Sequence, residues 1–355
     1  MGRILIKNGK VWNGEKFFFA DVLTENKRII RVEENITETA DFVFDASGKI
    51  VAPGLVDAHV HFKGISSEEF GINAEMACLP FGVTAAVDAG GGLGNKEQLD
   101  FMAVKNRVFV SVQVKDNKAC FENTKRLFEV YGDKVIGLKL YFGIEVSDLK
   151  DIQPLKQTVD FAEEHGLMVM VHSTNPPVSM KELLSVLRKG DILTHAYHGG
   201  TYNVADDNYE CVFEAKNRGV IIDAGMAGHV HTDFKVFEDA IKCGALPDII
   251  STDITKFSAY KRGGRYGLTM CMSIAKHLGM TEEDIFKAVT SSPAKALGMD
   301  KEWGFLGVGR CADVSVLEYA EEGFDLTDNA GNNINAETGY RCVLTVSGGD
   351  VVYKR

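Results

Sequence analysis

Between residues 54 and 253 one pattern recurs: a short, almost wholly apolar run, a loop, then a segment with helical amphipathicity. The apolar runs are Gly54–Phe62, Gly82–Ala89, Arg107–Val114, Val135–Tyr141, Leu167–His172, Asp191–His195, Gly219–Asp223 and Asp248–Asp253. Segments such as Asp148–His165, Tyr202–Arg218 and Thr232–Cys243 separate them and carry helical periodicity. Runs without polar alternation are what strands buried on both faces look like. Eight such units over roughly 250 residues match a closed (β/α)8 TIM barrel. An open, doubly wound sheet is the competing arrangement, but it favours a Gly-rich phosphate turn after its first strand. Here the first turn carries histidines instead.

The two ends of the chain read differently. Arg3–Ile6, Lys16–Leu23, Arg28–Val32 and Asp41–Phe44 are short β-branched and aromatic runs, with Asn8-Gly9 and Asn13-Gly14 as turn dipeptides. Ala312–Leu317, Arg341–Val346 and Val351–Tyr353 repeat that texture near the other end. Neither end holds enough apolar surface for its own core. The expected α/β fold is therefore a barrel over residues 53–304, joined to a small β-sandwich made by residues 1–52 plus 305–355.

The strand ends carry chemistry. In Asp57-Ala-His59-Val-His61 the two histidines fall on one side of a strand, because strand side chains alternate. Lys139, His172, His195 and Asp253 close four further apolar runs. Barrel active sites lie at the C-terminal strand ends. Any one of these residues could be structural; all six in that position point to one centre. Four imidazoles and a carboxylate suit zinc or a similar divalent ion. Six residues are too many for one catalytic zinc, so two ions are expected. Lys139 lies in Val135-Ile-Gly-Leu-Lys139-Leu-Tyr. An ammonium beside two dications is repelled, so the amine is expected to take up CO2 (from bicarbonate) and become N6-carboxylysine, an anion able to bridge both ions.

The residues now quoted resemble the amidohydrolase superfamily, in its binuclear, carboxylated-lysine form, and the resemblance spans nearly the whole chain. Gly82-Val-Thr-Ala-Ala-Val-Asp-Ala-Gly90 is similar to the second-strand motif of a deacetylase or dihydroorotase-like subgroup. Ser291–Gly298 and Gly304–Asp313 resemble the superfamily's return into the sandwich. The resemblance implies that His59 and His61 bind one ion and that His172 and His195 bind the other. Lys139 would bridge them, and Asp253 would be both ligand and proton shuttle. It also implies a hydrolase of non-peptide amide bonds working through a metal-bridging hydroxide. A deacetylase of small N-acyl substrates is the leading expectation. A cyclic amidase of the dihydroorotase or hydantoinase kind, or a mononuclear deaminase, is the alternative, and a non-catalytic scaffold is the least favoured. Phe62-Lys-Gly64 stands where dihydroorotases resemble one another in an Arg, which disfavours that activity.

Substrate contacts are expected from the loops. His198, His229 and His231 stand on or near the barrel mouth, and Arg262 and Arg265 follow Asp253, where a guanidinium could hold a carboxylate. Gly90-Gly91-Gly92-Leu-Gly94 is no P-loop and reads as a tight turn or an anion cradle. The net charge of −11 gives no footprint for nucleic acid or an anionic membrane. No run is long enough for a membrane helix and the N-terminus lacks a signal peptide's apolar core. Seven scattered cysteines without a C-x-x-C pair fit reduced thiols and a cytoplasmic location. The expected partner is a small-molecule substrate, and the outer helices of a barrel leave room for a homo-oligomer.

Overall fold

The computed structural model describes residues 2–228, 230–261 and 265–355, the side chains of Lys261 and Glu322 excepted. The apolar runs become a curled parallel sheet in a mixed α/β fold. Its strands, in spatial order, are Leu55–Val60, Val83–Gly91, Lys105–Lys115, Val135–Tyr141, Met168–His172, Ile192–Thr194 and Ile221–Ile222. Every residue of Leu55–Val60 and Val83–Gly91 is buried, as the absence of alternation implied.

The eighth run behaves differently from expectation. Residues 248–254 form no ladder strand, yet they bond to both ends of the curl. Ala224 N donates to the Ile249 carbonyl at 3.0 Å, and Asp253 N to the His59 carbonyl at 2.8 Å. Isolated bridges Asp223–Ile249 and Val60–Ile254 accompany these bonds. The segment is pulled between two neighbours at its two ends, so no continuous ladder forms on either side.

The helices are shorter than their amphipathic segments. Gln153–Glu164 starts at the Gln-Pro pair, because proline is tolerated only in a helix's first turn. Phe234–Cys243 starts where the Asp233 carboxylate accepts from the N–H groups of Lys235 and Val236. Among the described residues no helix is long and apolar enough to cross a membrane. All seven cysteines are free.

Strands from both ends of the chain share one sheet. Its ladder runs continuously through seven strands, with an eighth as a side branch. Ile4–Trp12 is its branch point: it pairs antiparallel with Phe17–Glu25, and parallel with Phe42–Asp45 and then Ile50–Pro53. Ile6, Val22, Val51, Val316 and Leu344 fill a core of their own there. Two strands outrun the sequence expectation. Val314–Thr327 and Asn333–Ser347 form a long hairpin, and its far end leaves the small sheet to lie against the helices Leu268–His277 and Phe234–Cys243. Tyr340 N donates to Ser273 Oγ at 2.8 Å, and Phe234 N donates to the Asp328 carboxylate at 2.6 Å.

Candidate metal centre

The six residues singled out by position converge at one end of the curled sheet. His59, His61, Lys139, His172, His195 and Asp253 are all buried, Lys139 and His59 with no exposed surface. His59 Nε2 is 3.2 Å and His61 Nε2 is 2.8 Å from Asp253 Oδ1. Lys139 Nζ is 3.1 Å from His59 Nε2. The convergence is imposed by the backbone. His195 and Asp253 both take a left-handed conformation, with φ of 61° and 48°, uncommon for residues with a side chain. Such strain persists where the surroundings over-determine it, commonly at functional sites.

The ring tautomers follow from their outer partners. His59 Nδ1 is 3.0 Å from Thr194 Oγ1, and that hydroxyl gives its proton to Asp223 at 2.7 Å. Nδ1 must therefore carry hydrogen and donate to Thr194. The same relay is built a second time: His61 Nδ1 lies 3.0 Å from Ser66 Oγ, which donates to Asp88 at 2.6 Å. His195 Nδ1 donates to the Gly225 carbonyl at 2.6 Å. When the ring is neutral, Nε2 is then left as the lone pair turned to the centre.

These residues fit cations. With both rings neutral, two Nε2 lone pairs face one carboxylate oxygen, an arrangement that repels unless a proton or a metal cation lies among them. Donors about 2.1 Å from a tetrahedral zinc stand roughly 3.4 Å apart; the His59–Asp253 separation of 3.2 Å is near that, and the His61–Asp253 separation of 2.8 Å is a hydrogen-bond distance. A second trio, His172, His195 and His231, also has its ligand atoms within 4.8 Å of one another.

Charge is unevenly shared. Burial and the Lys139 ammonium press His59 toward neutrality, but Asp253 and Asp223 prevail and hold it above its ordinary value. Burial pushes the Asp253 carboxyl up, and His59 and His61 reverse this, holding it well below the usual range. His172 and His195 are pushed far down by burial and by neighbouring His231. Burial lowers the Lys139 amine to about 8, against the pull of Asp253, Asp223 and Asp88.

A cavity of about 500 Å³ opens onto these groups, and Ser66, Phe70, Tyr141 and His231 also line it. The glycine run after the second strand proves to be part of its wall. A Cβ at Gly90 would stand 2.7 Å from Tyr141 Oη, 2.9 Å from Ser66 Oγ and 3.1 Å from His61 Nδ1. Only glycine lets those three approach one another. Burial keeps the Tyr141 phenol protonated, as a donor on the cavity wall.

The loop candidates separate. His231 reaches the centre: its Nε2 is 3.8 Å from Asp253 Oδ2, and its Nδ1 is 2.9 Å from Thr174 Oγ1. Burial lowers it to about 4, so it is neutral at ordinary pH. His198 is fully buried and does not line the cavity; its Nδ1 accepts from Gly200 N at 3.1 Å. Arg265 lines a different cavity, of about 210 Å³, beside Thr269 and Arg341 at the small sheet's edge. His229 and Arg262 lie outside the described residues. Sequence reasoning set His231 among loop contacts and did not find the relay residues Thr194, Ser66, Asp88 and Asp223. The one available signal for the carboxylates was their position at or near strand ends.

A model of the amidohydrolase family matches residues 50–352. The chain is 27% identical to a protein named deacetylase from Enterococcus faecalis, across 98% of each chain. A crystal structure of a dihydroorotase superposes with a TM-score of 0.86 at 24% identity, covering 99% of this chain and 98% of that one. A crystal structure of an adenine deaminase does so at 0.85 and 25% identity, covering 99% of each chain.

Proposed function

The chain belongs to the amidohydrolase family, hydrolases acting on carbon–nitrogen bonds, and we propose that it removes the acyl group from small N-acyl substrates with two divalent ions, zinc first among them. The carrying observation is the convergence of buried imidazole Nε2 atoms, the Asp253 carboxylate and a fully buried Lys139 amine on one centre. His59, His61 and Asp253 would hold one ion, and His172 and His195 the other. Bound there, the ions would supply Lewis acidity and lower the pKa of water from ~15.7 toward about 7.

Lys139 is assigned as the bridge in carboxylated form. The amine nitrogen adds to CO2, a proton leaves, and a carbamate anion replaces the buried cation. Burial favours the reactive neutral amine, and the low value of about 8 agrees with that. Asp253 is assigned the proton traffic. Its carboxylate, held ionised by His59 and His61, takes a proton from the attacking water and hands it to the leaving nitrogen. Thr194 with Asp223, and Ser66 with Asp88, fix the imidazoles in the required tautomer.

Metal analysis of protein prepared with bicarbonate tests this reading. Two equivalents per chain support it; one supports a mononuclear deaminase, and none a scaffold. A panel of N-acetyl amino acids, dipeptides and cyclic amides then separates deacetylase from cyclic amidase.

A further inference from the structure

The cavity over the centre does not end at its polar wall. Phe70 stands with its ring edge-to-face against His61, 5.4 Å between centroids, and the ring is also a wall of a second groove, of about 570 Å³. The groove's other walls are Phe257, Tyr260, Lys256 and Glu69. Its position is fixed by the backbone: Lys256 N donates to the Phe70 carbonyl at 2.7 Å, tying the helix Lys256–Lys261 to the loop after the first strand.

Three large aromatic side chains are exposed here: Phe70 by 42%, Phe257 by 60% and Tyr260 by 55%. Grouped exposed apolar side chains mark interaction surfaces, whereas single ones need no explanation. This group adjoins a polar reaction centre, and pockets of that kind combine apolar walls with a few polar groups that set orientation. Lys256 is the groove's cation and has no ion-pair partner among the described residues.

We propose that this groove is the side-chain subsite of the enzyme, and that its substrates are N-acyl amino acids with an aromatic or large branched side chain. The acyl carbon sits over the centre, the side chain passes Phe70 to lie between Phe257 and Tyr260, and Lys256 attracts the carboxylate. Arg265 lines a different cavity and is not part of this grip. The inference rests on the N-acyl hydrolase reading and narrows it.

The test compares kcat/KM for N-acetylphenylalanine and N-acetylleucine, each as both enantiomers, with N-acetylglycine on the metal-loaded enzyme. The large side chains are expected to win by about tenfold or more. In Phe257→Ala and Tyr260→Ala the ratio is expected to fall to within about threefold of unity, chiefly through KM. Both positions are exposed, so these substitutions do not threaten the fold. Lys256→Gln is expected to raise KM for all three acids. Equal kcat/KM across the series overturns the subsite and leaves the N-acyl reading intact. If no N-acyl compound is hydrolysed, that reading fails and the subsite is judged by calorimetry. Tighter binding of N-acetylphenylalanine than of N-acetylglycine, lost in Phe257→Ala, upholds it; equal affinities overturn it. A dimer that Phe257→Ala dissociates, with the substrate ratio unchanged, overturns it in favour of a second copy of the chain.

Discussion

The two halves of the centre are built from the same imidazoles but differ in what stands behind them. His59 and His61 touch the Asp253 carboxylate and are each backed, through one hydroxyl, by a further buried carboxylate. His195 is backed by a neutral carbonyl and His231 by a neutral hydroxyl. Their nearest approach to Asp253 is 3.9 and 3.8 Å, longer than a ligand pair's spacing. Carboxylate-backed imidazoles are stronger donors. On the proposed reading the first half would hold a dication with its own charge, whereas the second would depend on an anion arriving from elsewhere. On that reading, Lys139 converted to a carbamate would supply it.

The sharpest way to break that comparison is Lys139→Ala. Hydrolysis is expected to fall to background and bound metal from two equivalents to one, read by elemental analysis. Two retained equivalents would show that the second half needs no carbamate. Asp253→Asn is expected to cut kcat by about 10²–10⁴-fold, the range for a lost general acid or base, with metal still bound. Undiminished turnover there removes Asp253 from the proton path. Thr194→Val should weaken metal binding by about 10–100-fold, as lost outer partners of a ligand do. Ser66→Ala should act in the same direction and less strongly, since His61 and Ser66 stand at the cavity wall. Competition with a chromogenic chelator measures both. In the unaltered enzyme the same chelator should strip the ions in two stages, the His172 and His195 side first; loss in a single stage would mean equal halves.

A smaller effect is expected far from the centre. Asn329 N donates to the Thr232 carbonyl at 3.3 Å, and Asp328 accepts from Phe234 N, so the hairpin tip braces the loop that carries His231. Asp328→Ala should raise KM several-fold with little change in metal content. A change in kcat alone would point to another role.

How much of this was legible varies with distance along the chain. His59 and His61 were readable because strand alternation is a local rule. Lys139, His172, His195 and Asp253 were readable because each ends an apolar run, and a parallel curled sheet gathers such ends. His231 was readable only as a loop residue near the mouth, since it follows a strand of only two residues, Ile221–Ile222, where no period holds. The long hairpin was hidden because Glu318, Glu321 and Asp325 break the apolar texture. Those residues become strand only through cross-strand pairing and contact with the helix Leu268–His277.

Local order along the chain thus set the apolar runs, their alternation with helices and the types of ligand offered. The tertiary structure decided which hydroxyl stands behind which imidazole, which loop histidine joins the centre, and that Phe70 opens a groove toward Phe257. Those contacts join residues remote in sequence, His59 and Thr194 being 135 positions apart. Partners so far apart meet only once the sheet has curled and both of its ends have bonded to residues 248–254, and no local period encodes that closure.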